Sequence, residues 1–293
     1  MRLPEALEAV LTSALGIQIK SVQAVGGGDI NQAAQITTNA DQLFLKWHAR
    51  SPDGMFTAEA RGLELLRQAG TLRVPEVVAY QEHSEEAPAY MVLEWLERGR
   101  PEAGTYDELG RGLAQLHQVE ASAHGLDHDN FIGRLPQYNQ QETSWTHFYA
   151  EHRIRPQMEI ARRSGKLTSA REKLIERLLD KLPNLLPADN PPASLLHGDL
   201  WSGNVMTLAG GQPAIIDPAV YYGHREVEIA FTELFGGFRP QFYEAYNAIH
   251  RLDKGYEERR SLYQLYPLMV HMNLFGGGYT GSVDSILRRY AGS

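Results

Sequence analysis

A chain of 293 residues with 43% hydrophobic content is long enough for two modest lobes or one large domain, each able to bury a core. Its formal net charge of −8, from 28 Lys plus Arg against 36 Asp plus Glu, gives no field to draw phosphate backbones or anionic lipid, so nucleic acid and membrane surfaces are not expected partners. The absence of cysteine rules out disulfides, thiolate metal sites and a cysteine nucleophile, and no segment nears the roughly 18 unbroken apolar residues of a membrane span.

The first segment, MRLPEALEAVLTSALG, is interrupted by Glu5 and Glu8 and reads as an amphipathic helix, not as a secretory signal; the expected compartment is the cytoplasm. In SVQAVGGGDINQAAQITTNADQLFLKWHA (21–49), β-favouring runs are broken by a glycine triplet and then by the turn signal TTNAD, which predicts three antiparallel strands. MFTAEARGLELLRQAG (55–70) sets Phe56, Leu63 and Leu66 near helical spacing and stops at Gly70. PEVVAY and AYMVLEWLE add two strands. Residues 1–96 are therefore expected to form a small lobe, a five-stranded sheet with a helix, and RGRPEAG (98–104) has the composition of a connection.

Residues 97–293 read as a larger, mainly helical lobe. YDELGRGLAQLHQVEAS, SWTHFYAEHRIRPQMEIARR with a kink at Pro156, and TSAREKLIERLLDKL are predicted helices. Short strands are expected at SLLH, VMTL and PAIID before helices resume. The fold class is α+β.

A small β-rich lobe with a Gly-rich turn and a strand lysine, followed by a helical lobe with H-x-D-L-x-x-x-N and a later Asp, resembles the protein-kinase-like phosphotransferases in its order of parts. Phosphoryl transfer needs an acceptor hydroxyl in line, its proton accepted, and the phosphate charge neutralised by a metal and a lysine. In HGDLWSGN (197–204), Asp199 suits the proton and Asn204 the Mg²⁺, with Asp217 after the strand PAII as the carboxylate for that metal. An Asx turn is the plain alternative for the first two, and an Asp-Pro turn for the third. Lys46 in LFLKWHA would meet the α and β phosphates of ATP with Glu59 as its partner, Glu64 being the competing choice. Gly26, Gly27 and Gly28 would offer backbone N–H groups to the phosphates. Glu94 and Leu96, at the end of the fifth strand, fall where the superfamily's hinge meets adenine.

His197-Gly198-Asp199 lacks the arginine that protein kinases pair with an activation-loop phosphate, and little room for such a loop exists between Asp217 and Glu228. Those features point to a small-molecule kinase of the aminoglycoside or choline type, with His117 of GRGLAQLH a packed structural residue. Five blocks, DNFIGRLPQYN (129–139), SWTHFYAEHRIRPQM (144–158), HGDLWSGN, DPAVYYGHREVEIAF (217–231) and HMNLFGGGYTGS (271–282), make the chain resemble the fructosamine kinase, or ketosamine-3-kinase, family over nearly its whole length. The resemblance implies ATP- and Mg²⁺-dependent phosphorylation of a sugar hydroxyl of a ketoamine, small or protein-bound, in the service of deglycation; the chain is expected to act as a monomer. Trp201 would then pack a sugar face or simply lie beneath its loop. Tyr222 and His224 would shape the acceptor pocket, unless His224-Arg225-Glu226 only holds its loop together. Some family members carry a cysteine in the glycine-rich loop where Asp29 stands here. The alternatives are an aminoglycoside or choline phosphotransferase, and a kinase-like module that binds nucleotide without turnover.

Overall fold

The computed structural model describes residues 1–26, 31–187 and 189–292. Two compact units divide the chain: Met1–Thr105 with Val205–Pro218, and Tyr106–Asn204 with Ala219–Ser293.

In the first unit, α1 (Glu5–Leu15) ends on Gly16 in the left-handed region and buries Leu7 and Leu11, one turn apart. Strands β1 (Ile19–Ala24), β2 (Gln32–Thr38) and β3 (Gln42–His48) are antiparallel neighbours. The signal TTNAD becomes a turn in which the Thr38 hydroxyl accepts from the amides of Ala40 and Asp41. Helix α2 (Met55–Ala69) follows and buries Phe56, Leu63 and Leu66 as their spacing predicts. Strands β4 (Val77–Gln81) and β5 (Ala89–Glu94) complete a five-stranded sheet in the order β1-β2-β3-β5-β4. Along β3 the period of two decides the chemistry. Leu45 and Trp47 pack with Leu7 and Leu11 on one face, which sends Lys46 to the other.

In the second unit, α3 (Thr105–Leu116) leads to β6 (Glu120–Ala121) and to a hairpin of β7 (Asn130–Ile132) and β8 (Leu135–Gln137). The predicted long helix is three pieces: α4 (Trp145–Tyr149), a π turn over Ala150–Ile154, and α5 (Arg155–Arg163). Pro156 sits in the first turn of α5, where its missing N–H costs nothing, and the irregularity falls upstream as the π turn. After α6 (Ser169–Leu185) and β9 (Ala193–Leu196), the chain gives β10 (Val205–Thr207) and β11 (Pro213–Ile215) to the first unit. It returns through β12 (Tyr221–Gly223), α7 (Glu226–Thr232), α8 (Pro240–Ile249), α9 (Tyr256–Phe275) and α10 (Thr280–Ala291). Strands β12, β9 and β6 form a small sheet in that order. The FGGGYTG block is the joint between α9 and α10.

The division of the chain differs from the expected boundary at 96/97. RGRPEAG stays with the first unit because the Gly99 amide donates to the Thr207 carbonyl at 2.8 Å and the Thr105 hydroxyl to that of Gly211 at 2.6 Å. A Cβ on Gly99 would lie 2.2 Å from the Leu208 carbonyl oxygen, so the approach of these backbones requires glycine there. Leu96 packs with Leu208 and Ala214 in a small core of their own. Among the described residues no helix is long and apolar enough to cross a membrane.

Candidate active site

The first unit brings Lys46, Glu59 and Asp217 together. Lys46 is 4% exposed; its ammonium pairs with the Glu59 carboxylate and donates to Asp217 Oδ1 at 2.9 Å. Burial alone would lower its pKa, but the carboxylates of Asp217 and Glu59 outweigh that penalty and hold it above the usual lysine range. Glu64, the competing partner, is exposed and pairs with Arg67. Asp217 follows β11 with φ of 52°, the only positive value at a non-glycine residue among those described. Such a conformation costs on the order of 1 kcal/mol and persists only where its surroundings over-determine it. Half of the Asp217 side chain surface is open (53%), as a ligand-binding carboxylate needs.

A Cβ on Gly26 would meet nothing within 4 Å; Gly27, Gly28 and Asp29 lie outside the described residues. The Glu94 carboxylate is engaged structurally, by the Arg73 guanidinium and by the Glu76 amide at 3.1 Å. Leu96 is buried in its small core. A role for either at the adenine would fall to backbone groups.

In the second unit, β9 runs into the loop His197–Asn204. Gly198 has φ of 84°, and a Cβ there would lie 1.9 Å from the Ala219 carbonyl oxygen, so only glycine fits. Glu228 of α7 holds this turn from beneath. Its Oε1 accepts from the Gly198 amide at 2.6 Å and its Oε2 from the His197 amide at 3.0 Å. His117 Nε2 lies 3.0 Å from the same Oε2, and His117 Nδ1 lies 2.7 Å from the Tyr246 hydroxyl. Burial lowers the pKa of His117, which is fully enclosed. A neutral ring fits all partners when Nε2 donates to Glu228 and Nδ1 accepts from Tyr246. The Glu228 carboxyl stays below the usual range: burial would raise it, and the bonds from His117 and Gly198 overcome that.

Asn204 closes the loop by donating from Nδ2 to the Asp199 carbonyl at 2.8 Å and to Asp199 Oδ2 at 3.1 Å. Those bonds fix which way the amide points and turn its Oδ1 away from the carboxylate. Trp201 packs over Gly203, whose Cβ would lie 2.3 Å from the indole, and meets Phe235 edge-on at 6.2 Å. From Phe235 the rings continue through His271 at 4.7 Å and Tyr279 to Phe275, which is 53% exposed. Beyond Trp201 the members of this row come from the exit of α7, the end of α9 and the FGGGYTG joint after it, so no single stretch of sequence holds them all. The amide and carbonyl of Tyr222 are tied to Gly125, with the side chain half-buried. His224 is 1% exposed, bonded to the Tyr263 hydroxyl at 2.9 Å, and sits over Trp145. Arg225 beside it donates to the carbonyls of His250 and Arg251. His224 thus lies in the packed interior.

Comparison with known proteins gives a match to the family model described as fructosamine kinase over residues 4–292. A Synechocystis protein named a probable ketoamine kinase is 40% identical over 95% of this chain and 92% of its own. An Arabidopsis thaliana protein named a chloroplastic protein-ribulosamine 3-kinase is 36% identical over 97% of this chain and 86% of its own. A Thermobifida fusca protein solved as a candidate fructosamine-3-kinase superposes with a TM-score of 0.86 at 33% identity, covering 97% of both chains.

Proposed function

The chain belongs to the fructosamine kinase family, and from that premise we propose that it transfers the γ-phosphoryl group of ATP to a sugar hydroxyl, O3, of ketoamines, the adducts that amines form with sugars. The buried Lys46–Glu59 pair joined to Asp217 is the observation that carries this reading, because a charged lysine held beside an open carboxylate is what a nucleotide's phosphates and their metal require.

Each group has a role in the chemistry. Lys46 neutralises the α and β phosphates, with Glu59 aiming it. Asn204 Oδ1 and the Asp217 carboxylate are hard oxygen donors and fit Mg²⁺. Mg²⁺, when bound, neutralises charge on the transferring phosphate. Asp199 accepts the proton of the attacking hydroxyl while Glu228 keeps its loop in place. Trp201, at the head of the aromatic row, offers a flat apolar face to the sugar ring. Phosphorylation at O3 destabilises the adduct, and its loss frees the amine, which makes deglycation the physiological outcome.

ATP consumption measured with fructosyl-, ribulosyl- and erythrulosyl-lysine, beside aminoglycosides and choline, tests the reading with Asp199→Asn as the blank. The expected result is turnover of a ketoamine that falls about 10²- to 10⁴-fold in the variant without loss of thermal stability. Turnover of aminoglycosides or choline alone would overturn the acceptor, and nucleotide binding without any turnover would overturn the enzyme.

A further inference from the structure

The block DNFIGRLPQYN has no part in the chemistry above, yet it buries three polar side chains, Asn130, Gln137 and Asn139. It forms the β7–β8 hairpin, turned by Gly133 and Arg134 with φ of 58° at the glycine. Asn130 and Gln137 face each other across the hairpin. They are 5% and 1% exposed, so their amides must find partners within the protein.

The partners are backbone carbonyls just beyond Asp217. Asn130 Nδ2 donates to the Val220 carbonyl at 2.8 Å, and Gln137 Nε2 to the Ala219 carbonyl at 3.0 Å and to Asn130 Oδ1 at 2.9 Å. Asn139 Nδ2 also donates to Asn130 Oδ1 at 2.9 Å, and the Tyr266 hydroxyl to Gln137 Oε1 at 2.8 Å. Each amide therefore has its oxygen committed to donors, and only its nitrogen can face the 219–220 backbone. Asn139 is held in turn by Arg153, which is fully buried and lies 3.9 Å over the ring of Tyr221.

The opposite side of the same backbone is pinned as well. The Ala219 amide donates to the His197 carbonyl at 2.8 Å, and Tyr222 exchanges two backbone bonds with Gly125 at 2.7 and 2.9 Å. Protein kinases carry a long mobile loop at this point, whose first residues choose between active and inactive arrangements. Here the chain is fixed from residue 219 to 222, starting two residues after an aspartate in a strained conformation.

We propose that Asn130 and Gln137 are positioning residues for metal binding: through the carbonyls of Ala219 and Val220 they keep Asp217 presented before nucleotide arrives, so that this kinase has no flipped resting state. The inference rests on the reading of Asp217 as a metal ligand.

Mn²⁺ serves as a spectroscopic stand-in for Mg²⁺, its binding followed by electron paramagnetic resonance in the presence of ADP, with metal-free ADP binding measured separately. Gln137→Met, which keeps the length and removes the donor, is expected to weaken Mn²⁺ about tenfold, as the loss of a partner behind a ligand typically does, and to leave metal-free ADP within twofold. An unchanged Mn²⁺ affinity beside a lowered melting temperature would make the hairpin merely structural and overturn the proposal. Full Mn²⁺ binding by Asp217→Asn would instead overturn the reading of Asp217 beneath it. Should Gln137→Met not fold, hydrogen exchange on the unmodified protein without nucleotide decides: the Ala219 and Tyr222 amides are expected to be as protected as those of β9, and exchange as fast as an exposed loop refutes a pinned segment.

Discussion

Glu228→Gln isolates what holds the His197–Asn204 loop. The carboxylate is 2% exposed and accepts three donors: the amides of Gly198 at 2.6 Å and His197 at 3.0 Å, and His117 Nε2 at 3.0 Å. Glutamine has the same shape but must present its NH₂ on one side. Facing Gly198 it forfeits one charge-assisted bond, about 1.5–3 kcal/mol, and leaves that half-buried amide without an acceptor, about 1–2 kcal/mol more. Facing His197 and His117 it forfeits two. The better orientation still costs about 3–5 kcal/mol, and because Asp199 follows directly, kcat should fall as well. Urea unfolding at neutral pH, with kcat on a ketoamine measured in parallel, reads both effects. A stability loss under about 1 kcal/mol with kcat intact would refute the view that this carboxylate organises the loop.

Gly198→Ala adds the strain of a left-handed residue, about 1–2 kcal/mol, to a collision with the Ala219 backbone. Gly210→Ala has nearly the same φ, 78°, and open space around its Cβ. The former should unfold at much lower urea than the latter, and equal midpoints would refute the close approach. Stability should also fall in acid. Burial draws His124 down to about 4 and lowers His117, His224 and His271. Their unfolded values lie near 6.5, so the stability they give is whole above that pH and is lost as pH falls toward the folded values. His124 alone accounts for about 3 kcal/mol. Glu226, raised by burial, works in the opposite sense, which makes His124→Gln the control: its urea midpoint should decline less between pH 7 and 4.5, and parallel profiles would refute the assignment.

Lys46 and Glu59 were legible because a strand's period and a following helix fix which residues can meet, and those are local rules. Asp199, Asn204 and Asp217 were singled out by a motif and a spacing that the proposed chemistry constrains. His117 was correctly read as packed. Glu228 was not seen, because its hold on His197 and Gly198 joins residues some thirty apart across two elements. The link from Trp201 through Phe235 to His271 escaped for the same reason. For His224 the sequence left an acceptor pocket and a loop-holding role both open, and Trp145 and Tyr263, from distant helices, enclose it. The boundary at 96/97 missed the return of β10 and β11, since no pattern within those short strands tells which sheet or core will receive them.

That return has a consequence for the order in which the protein takes shape. As the polypeptide leaves the ribosome, its first hundred residues can form the five-stranded sheet, but Leu96 has no cover until Leu208 and Ala214 emerge. The buried Lys46 likewise meets Glu59 early and Asp217 only much later in synthesis. A contact between residues 171 positions apart carries a large loop-closure cost and forms late. The nascent first unit is thus an incomplete body for most of translation, with an apolar edge in need of shelter, and its maturation is timed by sequence that lies beyond helices α3 to α6 of the second unit.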